Sequence, residues 1–86
     1  MIPTIGCIVI AGVDPASNNG TDVCPAIVTR VWGPASTPAN GRGLINLKLF
    51  NDSINVLWRT SVILFDTEEE ARAFGLLNAC FWPPRA

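Results

Sequence analysis

This sequence predicts a mainly β protein, a small and partly open barrel of about five strands with one short helix and an extended tail. Three observations carry that prediction. Runs of β-branched and aromatic residues recur with period-2 alternation. Clusters of Gly, Pro, Asn and Asp separate them. A single stretch, 66–74, has the capped and acidic start of a helix. The chain of 86 residues is one domain, 1–86. A domain of that size buries only roughly 60% of the surface its unfolded form exposes.

The first strand is predicted over Ile5–Val13, apolar and β-branched, with Gly6 and Gly12 marking a bend or the close approach of another backbone. Residues 14–22 collect turn formers, with Asn19-Gly20 the strongest signal, and predict an exposed, mobile loop. Strand two is Cys24–Trp32, with Pro25 confining its start to an edge or an entry position. Residues 33–43 are too rich in Pro and Gly for helix or strand and read as a second long loop. Leu44–Phe50 alternates as a half-buried strand. A short polar link, 51–53, turns it into Ile54–Phe65, one long strand or two bent near Thr60-Ser61. Both faces of that arm are apolar, which suits a central strand or a subunit interface. Asp66 or Thr67 caps a helix of about two turns that Gly75 stops. The three consecutive glutamates 68–70 fan around its axis and form no metal or acid–base cluster. The tail from Cys80 to Ala86, with Phe81-Trp82-Pro83-Pro84, docks as an extended segment on its own barrel or on a neighbouring subunit. The elements together describe a barrel of SH3-like kind.

Composition narrows the function classes. Hydrophobic residues make up 49% of the chain and charged residues 15%, against about a quarter charged in ordinary domains, so apolar surface is left for a homo-oligomer to cover. A net charge of −1 supplies no basic patch for nucleic acid. No apolar run reaches the roughly 18 residues of a membrane span. Cys7, Cys24 and Cys80 are an odd set without CxxC spacing, and the chain has no His. They read as free thiols in a reducing compartment, with a single disulfide between two of them as the alternative, and with no metal and no cofactor. For acid–base or nucleophilic work only Asp22, Asp52, Asp66 and Cys24 stand out, in no recognisable arrangement, so the chain is not expected to be an enzyme.

The candidate site is built on two strands. In strand two, Ala26, Val28, Arg30 and Trp32 are predicted to share one face and Ile27, Thr29 and Val31 the other. In the long arm, Val56, Trp58, Thr60, Val62 and Leu64 oppose Leu57, Arg59, Ser61, Ile63 and Phe65. A pocket for a planar anion needs an aromatic plate, a cationic fork and hydrogen-bonding groups for a sugar. Trp32 or Trp58, Arg30 or Arg59, and Thr29, Asn46, Thr60 or Ser61 supply them.

Four segments together resemble short proteins encoded by tailed bacteriophages: Ile5-Gly6-Cys7-Ile8-Val9, Cys24-Pro25-Ala26-Ile27-Val28-Thr29-Arg30-Val31, Leu47-Lys48-Leu49-Phe50-Asn51-Asp52 and Phe81-Trp82-Pro83. The resemblance spans most of the chain and carries no catalytic signature. The two-proline tail and the loop at 33–43 depart from the pattern. In size, origin and architecture such proteins are similar to the small oligomeric sponges that sequester nucleotide messengers of bacterial immunity. The resemblance implies a non-catalytic, homo-oligomeric protein of the host cytoplasm that binds an ADP-ribose-type molecule or a cyclic dinucleotide and so evades host defence. The other reading of the same residues is a protein-interaction or virion structural module.

Overall fold

The computed structural model describes residues 3–33, 41–52 and 56–83. Five strands form a closed barrel: β1 (Ile8–Gly12), β2 (Val23–Gly33), β3 (Gly41–Leu49), β4 (Leu57–Phe65) and β5 (Ala79–Phe81). The fold is the small β-barrel the sequence predicts, closed where it was expected partly open. The first four strands form an antiparallel meander. Closure comes from β5, antiparallel to β1 (Ile10↔Phe81, Ala11↔Cys80) and parallel to β4 (Ile63↔Ala79, Phe65↔Phe81). A parallel pair needs a crossover connection. Helix α1 (Glu68–Phe74) and the 3₁₀ turn Leu76–Asn78 provide it.

Two apolar clusters divide the side chains. Val9, Ala11, Val13, Cys24, Ala26, Val28, Ile45, Leu47, Leu49, Val62, Leu64 and Cys80 fill the barrel. Ile63, Phe65, Ala79 and Phe81 point outward and are covered by Ala71 of α1, with the Phe74 ring 5.3 Å from that of Phe65. This explains the two-sided apolar character of the long arm. The Ile63–Phe65 end of its second face is buried by a helix of the same chain, while Trp58 on that face stays exposed. The crossover also requires a glycine, because a Cβ on Gly12 would lie 2.0 Å from the carbonyl oxygen of Leu76.

Helix α1 begins as its sequence dictates. Thr67 is the cap, its hydroxyl accepting from the Glu70 amide at 3.2 Å. Arg72 in the last turn bonds Glu68 one turn earlier and reaches Asp22, while Asp66 pairs with Arg42. Among the described residues no cluster capable of holding a metal is present.

Several boundaries differ from the sequence reading. The first strand starts at Ile8, since Thr4–Cys7 form a turn through Gly6, whose φ is +94°. Strand β3 begins at Gly41, inside the segment read as loop, because glycines without side chains can still pair across from β4. Of that segment, residues 34–40 lie outside the described residues, as do 53–55 of the hairpin link and 84–86 of the tail. The loop at 14–22 is anchored: Asn18 is buried, donating to the carbonyls of Thr21 and Val23 and accepting from the Asp52 amide. The tail follows its own-barrel alternative, with Phe81 in β5 and Trp82 packed against the inner cluster.

Candidate functional site

The outer face of β2–β3–β4 carries most of the predicted site residues, and β-bulges decide which. A bulge inserts an extra residue into one strand and reverses the side-chain alternation beyond it. In β2 the register jumps from Val28↔Leu47 to Arg30↔Asn46, so Thr29 is the extra residue. Val28 points into the barrel, Arg30 and Trp32 point out, and Val31 turns back toward the core. Arg30 and Trp32 share a face as predicted, but Ala26 and Val28 are on the other. In β4 the register jumps from Leu47↔Arg59 to Ile45↔Val62, so Thr60 and Ser61 together oppose Asn46. Ser61 takes the left-handed conformation, with φ at +59°. Leu57 and Arg59 therefore share the barrel side with Val62 and Leu64, contrary to the alternation drawn from the sequence.

Asn46 ties these irregularities together. Its side chain is buried at 7% exposure. Its Oδ1 accepts from Trp32 Nε1 at 2.8 Å, from the Thr60 hydroxyl at 2.8 Å and from the Ser61 amide at 3.1 Å. The bulge leaves the Ser61 amide without a ladder partner, and the asparagine supplies one. The same oxygen fixes the Trp32 indole while the residue stays 49% exposed. The Arg30 guanidinium lies 3.9 Å from the ring centroid, a cation–π contact. Arg30, Trp32, Asn46, Thr60 and Ser61 thus form one preorganised cluster. Thr29 is half-buried at its bulge.

Trp58 sits one row away, 59% exposed and paired with Lys48, which in turn faces Ile27. Lys48 is a site residue that the sequence reading passed over. Its signal lies in charge segregation: β2, β3 and β4 hold Arg30, Arg42, Lys48 and Arg59 and no Asp or Glu at all. The net charge of −1 averages this away. The three ion pairs of the described residues engage Arg42 and Arg72 and leave Arg30 and Lys48 without a carboxylate. A planar, negatively charged ligand is what such a surface complements.

Arg59 is not part of it. Its side chain turns inward at the barrel end and donates to the Gly12 carbonyl oxygen. Burial lowers its pKa, and the nearby groups are the thiols of Cys24 and Cys80. Those thiols are raised by the same desolvation, Cys80 to about 12. Both are paired with Ala11, from its two sides, which puts their Cα atoms two strand spacings, roughly 9.5 Å, apart. A disulfide cannot span that distance, and all three thiols are free.

Compared with known protein families, curated proteins and solved structures, the chain matches none.

Proposed function

We propose that this protein is a non-catalytic binding module whose β2–β3–β4 face holds a small nucleotide-like ligand. The observation that carries the reading is the Arg30–Trp32 pair, stacked at 3.9 Å and pinned through the indole N–H to buried Asn46. A base stacks on an aromatic plate that is already oriented, and phosphate accepts from guanidinium and ammonium groups that no carboxylate neutralises. The polar groups of Asn46, Thr60 and Ser61 are engaged with one another and with Trp32, which makes them scaffolding for the plate. Lys48 and Trp58 extend the face by one row, and Arg59, turned inward, leaves the ligand set. The resemblance to phage proteins supplies the setting: a homo-oligomer in the host cytoplasm that sequesters an ADP-ribose-type or cyclic dinucleotide immune signal.

Calorimetry against ADP-ribose derivatives and cyclic dinucleotides, with an oligothymidine as control, tests the reading. Arg30→Ala should weaken binding by about 1.5–3 kcal/mol, the range for a lost charge-assisted hydrogen bond. Trp32→Ala should cost about 1–3 kcal/mol, as for a lost base stack. Silence from the folded wild type across the panel overturns it. The protein-interaction reading would then stand, favoured by the exposure of Ile5, Ile8 and Val56 alongside Trp58.

A further inference from the structure

A groove of about 380 Å³ lies at the loop end of the barrel, away from the Trp32 cluster, between the 14–22 loop and the chain leaving β3. Its size falls within the range of small-ligand pockets. Asn18, Asn51, Asp52, Phe50, Pro25 and Thr21 are among the residues that line it. The hydrogen-bond inventory is lopsided. The side-chain amides have already spent donors on the protein: Asn18 on the carbonyls of Thr21 and Val23, Asn19 on Asp52, and Asn51 on the carbonyl of Ser17 at 2.6 Å. Acceptors are left over. Asn51 is 9% exposed, and its Oδ1 is buried with no donor. Since its Nδ2 is committed to Ser17, a flip of the amide would only exchange one unmet group for a worse contact. Asp52 receives the Asn19 amide on one carboxylate oxygen at 2.7 Å and pairs with no cation among the described residues. Among the described residues no Lys or Arg lines the groove, while Phe50 contributes an aromatic ring at 43% exposure.

We propose that this groove binds an alkylguanidinium cation, the chemistry of an arginine side chain. A flat fork of N–H donors answers the surplus of acceptors, its charge complements Asp52, and its plane stacks on Phe50. A neutral amide would leave Asp52 unpaired. A compact ammonium could contact the carboxylate but offers no face to the ring. The site is independent of the nucleotide reading, for it shares no residue with the Arg30–Trp32 cluster.

Amide and side-chain NMR of the intact protein titrated with butylguanidinium tests it, with butylurea as the neutral isostere. A blocked Gly-Arg-Gly peptide in a further arm distinguishes a free small molecule from a peptide side chain. Saturable shifts at Phe50, Asn51, Asp52 and the Asn51 side-chain amide are expected with butylguanidinium, at least tenfold weaker with butylurea. Asp52→Asn should weaken binding at least tenfold. Should that variant misfold, Thr21→Lys, at an exposed position on the groove wall, places a competing cation there and should abolish binding. Equal shifts from the two isosteres, no saturable shift, or undiminished binding by folded Asp52→Asn or Thr21→Lys overturns the proposal.

Discussion

At the scale of single residues, Asn46 joins fold and site. One side-chain oxygen satisfies an indole, a hydroxyl and a backbone amide drawn from two strands. Truncation strands those donors in a partly buried setting, so Asn46→Ala should cost about 2–3 kcal/mol in urea unfolding and release Trp32, read as a change in its fluorescence. A cost under about 1 kcal/mol would show the donors satisfied without it. The cysteines allow a second test. Cys80 is fully buried, and that burial pushes its pKa up from the ordinary thiol value to about 12. A thiol raised in the folded state binds its proton more tightly there than in the unfolded chain. Its contribution to stability is therefore complete below about pH 9 and is lost as pH rises toward 12. Denaturation at increasing pH should show that decline, and Cys80→Ala should flatten it. A thiol reagent at neutral pH should label half-exposed Cys7 before Cys24 or Cys80.

At the scale of elements, the bulges in β2 and β4 bring the cluster together, and Ser61 carries the backbone cost. Its φ of +59° belongs to the region that costs L-residues roughly 1–2 kcal/mol and glycine almost nothing. Ser61→Gly should therefore raise stability by about 1 kcal/mol, and Ser61→Val should lower it by at least as much. Thermal melts of the two variants decide this. An unchanged Ser61→Val would mean that the bulge relocates. The bend near Thr60-Ser61 was legible in the sequence as a break between two apolar runs. Its effect on parity was not, because one inserted residue exchanges every later side chain between faces.

At the scale of the molecule, the helix covers the Ile63–Phe65 end of the outer face of β4 and leaves Trp58, at the other end of that face, exposed. Exposed with it among the described residues are Ile5, Ile8, Trp32, Phe50, Val56, Phe74 and Leu77. The row Ile8–Ile27–Lys48–Trp58 crosses four strands by register. Burial of such a surface against a second copy is the assembly expected here. Light scattering at micromolar concentration should return at least a dimer, and Trp58→Glu should shift it toward monomer. A monomeric wild type would leave the ligand face to act from a single subunit.

The sequence by itself determined the β class, the helix capped at Asp66 or Thr67, the pairing of Arg30 with Trp32 on one surface and the membership of Asn46, Thr60 and Ser61 in a candidate site. These follow from local rules: period-2 alternation, capping chemistry and the offset between neighbours on a strand. Only the tertiary structure decided that the barrel closes through a parallel β5, that Arg59 turns inward and that Lys48 joins an acid-free face. Closure depends on a crossover between segments distant in sequence. Inward or outward placement depends on how many bulges precede a residue, and local charge depends on which strands become neighbours. None of these is a property of a short window of sequence, and all of them are set when the barrel forms.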